Sequence, residues 1–248
     1  ALDAQRETLG DRHPDTLASI HSMGDLLSDM GQHEEAARDL RPWLAPSNQR
    51  VLVTGSTHDD EEAVVLDALR AMRERAGAPV RTVLVPRHPE RSASICDLVR
   101  QKGLHPVRWS EVATERSPLG EDDVVVVDVI GQLQRFYAAC DVAFVGGSLV
   151  PHGGQNMLEP AALGRAVIFG PHTANFRRDV ELLLAADAVV QVRDRPEFVE
   201  QLEVLLGDDE LCSEYGERAR RVITQNQGAT TRTFDLVVDL VDASGRER

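Results

Sequence analysis

The sequence predicts an α/β fold in which helices cover both faces of a parallel sheet. Short runs of β-branched and apolar residues recur along the chain from residue 50, and glycine or proline bounds each of them. Segments of helical length separate these runs, which is the pattern of parallel strands joined by helical crossovers. A chain of 248 residues is long enough for one or two domains with a sizeable core.

The strands and helices alternate regularly once the pattern begins. The apolar runs predict strands over 50–56, 80–86, 105–109, 123–129, 141–147, 166–170 and 188–192. The segments between and after them predict helices over 59–77, 90–102, 131–139, 157–163, 176–186, 195–206 and 208–241. This alternation indicates a Rossmann-like sheet, which we assign to a domain over 50–248.

The first 46 residues have a different pattern. Apolar or small residues at helical spacing predict two helices, over 16–30 and 33–44, with Gly31 between them. The turns GDRHPDTLAS and GQHEEAA resemble those of tetratricopeptide repeats of the kinesin-light-chain kind. Because about three such repeats are needed to bury a common core, a helical hairpin over 1–46 either continues an array or packs on the neighbouring domain. A repeat could also recruit a protein partner.

Charge and cysteine content exclude several function classes. A formal net charge of -14 argues against a general nucleic-acid binder, although a local basic pocket can still hold a small anion. Cys96, Cys140 and Cys212 are odd in number and far apart, which predicts neither a zinc site nor a disulfide framework. We therefore expect a reducing, intracellular and cytoplasmic compartment, and a buried free thiol at Cys140. No apolar stretch approaches a membrane span, and no signal peptide is recognisable.

The chemistry is expected at the carboxyl ends of the strands, where ligands bind in open parallel sheets. The first strand runs into Ser56, Thr57 and His58, whose backbone amides, together with the following helix, suit a phosphate or a carboxylate. The structural alternative is that a hydroxyl of this stretch simply caps the helix.

A basic stretch, PRHPER, follows the second strand. Two prolines fix the backbone around Arg87 and His88, which directs a permanently charged guanidinium to a defined place. Arg91 stands at the start of a helix, where a cation opposes the helix dipole and so suggests a nearby anion. A solvated basic turn is the alternative interpretation.

Two glycine pairs follow the fifth predicted strand. Gly146 and Gly147 lack side chains and so allow a ligand to approach the backbone. The second pair, at 153–154, brings polar side chains to the start of a helix, where a carboxylate can accept hydrogen bonds from sugar hydroxyls. The candidate binding residues in this region are Gly146, Gly147, Ser148, Asn156, Glu159 and Asn175.

These stretches resemble the C-terminal halves of 3-deoxy-D-manno-octulosonic acid (Kdo) transferases. The sequence carries that family's motifs STHxxEE, PRHPER, FVGGSL, GGxNxLEPA and GPHxxNF in order, within 56–176. Five motifs in order are far more specific than any single glycine pattern, and the resemblance extends over roughly 50–231. It implies a two-domain GT-B fold, of which this sequence holds the C-terminal, nucleotide-sugar-binding domain.

The resemblance also implies a reaction and a set of residue roles. The reaction is transfer of Kdo from CMP-Kdo to a lipid A precursor, with inversion and without a cofactor or a metal. Arg87 and His88 would stabilise the leaving group, while the catalytic base belongs to the family's acceptor half. The implied substrate-binding residues are Ser56, Thr57, His58, Arg91, Gly131, Gly146, Gly147, Ser148, Asn156, Glu159 and Asn175.

The sequence departs from the family's pattern at two positions. The usual GEL is Gly131-Gln132-Leu133 here, and the usual GGHN has Gln155. Glutamine keeps hydrogen bonding but cannot carry a proton, so neither position can supply an acid or a cation. The family's acceptor half, with its base and its surface facing the inner side of a membrane, is not visible in the sequence, and we expect the chain alone to bind donor but turn over poorly.

Two alternatives remain open from the sequence. One is another GT-B transferase, or an epimerase, that uses a UDP-sugar. The other is a non-catalytic protein, in which the repeat recruits a protein partner and the α/β domain senses a ligand.

Overall fold

The computed structural model describes residues 30–47, 49–76 and 80–226. The predicted helix over 16–30 lies almost wholly outside these ranges, as do the end of the predicted C-terminal helix and the tail. Within the described ranges, every helix is too short or too polar to cross a bilayer.

Seven parallel strands form one sheet in the order β3-β4-β2-β1-β5-β6-β7, as the alternating pattern predicted. The strands are β1 Arg50–Thr57, β2 Val80–Pro86, β3 His105–Arg108, β4 Asp123–Val126, β5 Val142–Val145, β6 Ala166–Phe169 and β7 Val190–Gln191. β7 is shorter than its apolar run because it pairs with β6 at two positions only.

The helices lie between and after the strands. They are α1 Met30–Leu44, α2 Glu61–Ala76, α3 Ser92–Gln101, α4 Trp109–Val112, α5 Leu133–Ala139, α6 Leu158–Ala162, α7 Arg177–Ala185 and α8 Arg195–Gly207, with α9 over 209–226. Short 3-10 turns, Pro89–Arg91 and Ala174–Phe176, precede α3 and α7. The one-turn helix α4 was not predicted, since Trp109 continues the apolar run of β3.

Alternate strand residues face opposite sides of the sheet, and helices cover both sides. On one face, Leu52, Leu84 and Phe144 pack against α2, α3 and α8. On the other face, Val53 and its neighbours pack against α1 and α5, while Val167 and Phe169 of β6 pack against α6, α7 and α9. The predicted two-sided arrangement is therefore confirmed.

Helix α1 is part of this core. Leu40 and Leu44 are fully buried against the sheet. Arg41 donates to the carbonyl of Ala139 at 3.1 Å and to the carboxylate of Asp141 at 2.7 Å. The segment over 1–46 was expected either to continue a repeat array or to pack on the neighbouring domain, and its described part, α1, packs on the sheet. The repeat itself and the domain boundary stay predictions.

A buried arginine fixes the end of α1 as well. Arg81 in β2 is 2% exposed, and its Nε donates to the carbonyl of Leu44 at 2.9 Å. Its Nη1 donates to the carbonyls of Gly120 and Asp123 at 2.9 and 2.7 Å. Burial lowers the pKa of Arg81 from its usual value. Three backbone carbonyls thus accept hydrogen bonds from the buried guanidinium, which thereby links the end of α1 to β4 and the loop before it.

An aromatic row lies beneath α1. The ring centroids of Trp43 and Trp109 are 5.8 Å apart, and those of Trp109 and Phe136 are 5.1 Å apart. The indole N–H of Trp43 donates to the carbonyl of Ser117 at 2.8 Å. The row connects α1, α4 and α5 on one face of the sheet.

All three cysteines are buried and free, which confirms the expectation for Cys140. Burial raises the pKa of the Cys140 thiol to about 12. Such a thiol is protonated at neutral pH and acts as a small apolar side chain.

Candidate functional site

A cavity of about 370 Å³ opens at the carboxyl edge of the sheet, as expected for this architecture. We call it the open cavity. Its lining residues are Ser56, Arg87, Gly131, Leu133, Gln134, Tyr137, Gln155, Asn156 and Glu159. The predicted site residues among them are Ser56, Arg87, Gly131, Asn156 and Glu159.

The contribution of α5 to the cavity was not predicted from the sequence. Leu133, Gln134 and Tyr137 share one face of this helix, which starts at the carboxyl edge immediately after Gly131. Helical spacing counted from Leu133, with Tyr137 four residues later, could have indicated that face. Gln132, one of the two departures from the family pattern, instead accepts a hydrogen bond from Arg135 at 2.9 Å.

Two unusual backbone conformations shape the rim of the open cavity. Ser56 has φ = 53°, in the left-handed region that side chains other than glycine rarely adopt, and Gly131 has φ = 82°. Strain of this kind at Ser56 is typical of functional sites, where the surrounding structure holds it in place.

The open cavity presents a cation and a carboxylate. Arg87 is exposed, and its backbone N–H donates to the carbonyl of Thr57 at 3.0 Å, which fixes the end of β2 against the end of β1. Glu159 lies in the first turn of α6, as predicted. Burial raises the pKa of Glu159, while Asn156 and the charge of Arg87 act in the opposite direction.

Asn156 organises the start of α6. Its Oδ1 accepts the backbone N–H of Leu158 at 3.0 Å, and its Nδ2 donates to Oε1 of Glu159 at 3.3 Å. Across the cavity, burial raises the pKa of Tyr137 well above its usual value, so its phenol is neutral. The cavity therefore offers a guanidinium, amide groups, a phenol and a carboxylate, which suits a ligand with an anionic group and hydroxyls.

The first glycine pair has a different role from the one predicted. Glu61, the first residue of α2, is fully buried, and its Oε2 accepts the backbone N–H groups of Gly147 at 2.7 Å and His58 at 2.9 Å. Its Oε1 accepts those of Ser148 and Leu149, both at 3.0 Å. Burial raises the pKa of Glu61, although these four hydrogen bonds favour its carboxylate. We call this arrangement the Glu61 nest.

Gly147 and Ser148 were predicted to bind the ligand, but in the Glu61 nest a carboxylate of the chain already binds their amides. The Ser148 hydroxyl is also internal: it donates to the carbonyl of Val145 and accepts the N–H of Gly170 at 2.9 Å. A Cβ at Gly146 would lie 2.6 Å from the carbonyl oxygen of Ser56. Gly146 is thus needed for close contact between the ends of β1 and β5.

Thr57 and Arg91 lie behind the site rather than in it. The Thr57 hydroxyl donates to Oε1 of Glu62 at 2.7 Å, and both residues are buried. Arg91 forms a bidentate pair with Glu62, at 2.9 and 3.1 Å, and a further pair with Asp59. The anion that Arg91 was expected to face is therefore a buried carboxylate of α2.

Histidines gather beside the open cavity. His58 stacks on His152, and His88 meets its edge. His152 and Asn175 both line a second cavity, of about 600 Å³. Nδ2 of Asn175 donates to the carbonyls of His152 and Gly154 at 3.1 and 3.3 Å, which fixes the loop between β5 and α6.

Within the described ranges, no group of three or more His, Cys, Asp or Glu side chains is arranged to hold a metal ion. The expectation of a site without metal or cofactor stays a prediction.

No protein-family model matches the chain. Curated relatives do: the chain is 33% identical over 221 residues to the 3-deoxy-D-manno-octulosonic acid transferase of Haemophilus influenzae, covering 88% of this chain and 51% of the relative. It is also 33% identical over 218 residues to that of Bordetella pertussis, covering 87% of this chain and 50% of the relative. The chain thus spans about half the length of the curated relatives it matches.

A solved structure agrees with these relatives. The C-terminal CMP-Kdo binding domain of WaaA from Acinetobacter baumannii superposes with a TM-score of 0.70 at 29% identity, covering 77% of this chain and 98% of that domain. The match extends over nearly all of a single domain, and it supports the predicted α/β fold of a glycosyltransferase C-terminal half.

Proposed function

Because the chain is homologous over most of its length to 3-deoxy-D-manno-octulosonic acid transferases, we propose that it provides the donor-binding half of such an enzyme. The open cavity takes CMP-Kdo, and the reaction transfers Kdo to a lipid A precursor. The catalytic base comes from an acceptor half outside the described residues. The three buried free cysteines support a reducing, cytoplasmic compartment, with contact to the inner face of a membrane through that acceptor half.

One observation carries this proposal: an exposed guanidinium and a half-buried carboxylate line the same cavity. Arg87 is fixed at the end of β2, and Glu159 faces the cavity from the first turn of α6. A nucleotide sugar carries a phosphate that suits the guanidinium and hydroxyls that suit the carboxylate. As the bond to the sugar breaks, negative charge grows on the departing CMP, and a preorganised cation at Arg87 stabilises that charge.

The first test is binding of CMP-Kdo by calorimetry to the wild-type chain and to Arg87→Ala. Loss of a charge-assisted hydrogen bond should weaken binding by about 10- to 100-fold. The matched control is Arg100→Ala, an exposed arginine at the end of α3 that pairs with Asp97. Unchanged affinity in Arg87→Ala would place the donor elsewhere.

Nucleotide competition separates this proposal from a UDP-sugar enzyme. CMP should displace CMP-Kdo, while UDP should not at the same concentration. Preferential displacement by UDP would contradict the proposed donor. Transfer itself is tested by release of CMP when a lipid A precursor and an acceptor half are supplied together.

A further inference from the structure

Three imidazoles from three connections meet beside the open cavity, and one of them, His152, lines the second cavity. The ring centroids of His58 and His152 are 4.2 Å apart with planes at 16°, and those of His58 and His88 are 6.0 Å apart with planes at 83°. His58 comes from the β1–α2 connection, His88 follows β2, and His152 lies in the β5–α6 loop. Chain segments that are far apart in sequence thus bring titratable rings to one place.

Gln155 connects this histidine cluster to the open cavity. Its Nε2 lies 3.3 Å from Nε2 of His58, and the same side chain lines the open cavity. An amide NH₂ only donates, so in this orientation the ring nitrogen accepts, as a neutral imidazole does. Rotation of the amide by 180° would present its oxygen to a protonated ring instead. Gln155 can therefore follow a change in the charge of His58.

The charged groups around His58 are mainly basic. Burial lowers the pKa of His58, and the nearby basic groups lower it further. Those groups are His152, His88, Arg91 and Arg87. The acidic groups are already engaged: Glu61 by backbone amides, Glu62 and Asp59 by Arg91, and Glu90 by His88 at 3.6 Å.

We propose that His58 and His152, with His88 at their edge, form a subsite for an acidic group of the ligand, a phosphate or a carboxylate, whose binding is coupled to uptake of a proton by the stacked pair. Two stacked imidazoles repel each other when both are charged, and an anion bound beside the rings offsets that repulsion. The subsite rests on the proposed function only for the identity of the natural ligand.

The direction of the pH dependence follows from linkage. The pKa of His58 is low in the free protein, and a bound anion raises it. Between the free and the bound pKa, binding takes up a proton, so affinity falls as pH rises through that window. The decrease is at most about tenfold per pH unit for one proton, and affinity is independent of pH outside the window.

The first measurement is the NMR titration of the histidine side chains with and without sodium sulfate, whose charge is constant over the range, at matched ionic strength. Sulfate should raise the midpoint of His58. His105, an exposed histidine at the start of β3 that pairs with Asp123, is the matched control and should not move. His152→Asn should abolish the shift at His58. Midpoints that are the same with and without sulfate would overturn the proposal.

The second measurement is calorimetry of CMP-Kdo in buffers of different ionisation enthalpy. The wild type and His105→Asn should take up a fraction of a proton, up to one, and His152→Asn should take up less. Binding without proton uptake overturns the subsite and leaves the proposed function intact. A sulfate shift without any CMP-Kdo binding supports the subsite and overturns the proposed donor.

Discussion

The two glycine-rich stretches at the carboxyl edge, 146–149 and 153–159, are similar in composition but bind different partners. In the first, the amides of Gly147 and Ser148 hold the carboxylate of Glu61 inside the protein. In the second, Asn156 and Glu159 line the open cavity. A glycine-rich turn after a strand therefore indicates exposed amides, but an acidic residue of the chain can occupy them as well as a ligand can.

The largest expected effect on stability is at the first stretch, 146–149, where Glu61 binds the amides. Glu61→Ala leaves four backbone N–H groups without their acceptor, and we expect it to lower the free energy of unfolding by about 3 kcal/mol or more. Denaturant unfolding measures the loss. The control is Glu74→Ala in the same helix, an exposed residue paired with Arg70, which should cost less than about 1 kcal/mol. A loss of that small size in Glu61→Ala would mean that water satisfies the nest.

A smaller effect is expected where the glycine backbone itself is needed. Gly146→Ala would bring a Cβ to 2.6 Å from the oxygen of Ser56 and force the ends of β1 and β5 apart. We expect a loss of about 2 kcal/mol in unfolding free energy. Gly207→Ala meets nothing within 4 Å and should change stability by less than about 0.5 kcal/mol. Equal effects of the two variants would show that the strand ends can separate freely.

The smallest effect on stability is expected at the second stretch, 153–159, where a substitution should stabilise the protein. Burial raises the pKa of Glu159, so its ionisation at neutral pH costs stability. This loss of stability is absent at a pH below the pKa that Glu159 has in the unfolded chain. It grows as the pH rises to the higher pKa that Glu159 has in the folded protein. Glu159→Gln should therefore raise the unfolding free energy at pH 7 by about 0.5 to 1 kcal/mol, and the difference from wild type should vanish at low pH.

The same variant tests whether stability and ligand binding conflict at Glu159. Glu159→Gln should weaken CMP-Kdo binding although the protein is more stable, because an amide is a poorer acceptor for hydroxyls than a carboxylate. Calorimetry beside thermal unfolding would show both changes. If Glu159→Gln were less stable than the wild type at pH 7, ionisation of the Glu159 carboxylate would not destabilise the folded protein.

The sequence predicted the strands and most helices closely because β-branched runs bounded by glycine or proline leave few alternatives. It also predicted the region of the site, since Ser56, Arg87 and Asn156 follow strand ends that must share one edge. It could not predict where each side chain points. Glu61 and Arg91 are charged residues near a strand end, and only the path of α2 brings Glu61 to the amides and Glu62 to the guanidinium.

Contacts between residues far apart in the chain could not be predicted from the sequence either. Arg81 lies within an apolar run of β2, and nothing local indicates that it reaches the carbonyls of Leu44 and Gly120. The hydrogen bonds of Arg41 and Arg81 fix α1 on the sheet, so the part of the N-terminal segment that seemed separate by pattern is built into the core. Patterns give the period of an element, but they do not give its neighbours across the fold.

The aromatic row beneath α1 has an optical consequence. The chain has two tryptophans, and both belong to this row, Trp43 on α1 and Trp109 on α4. The open cavity is lined by a tyrosine and by neither tryptophan. Intrinsic tryptophan fluorescence will therefore respond to the packing of α1 on the sheet and change little on nucleotide binding. Detachment of α1 and occupancy of the cavity can then be followed as separate signals in one sample.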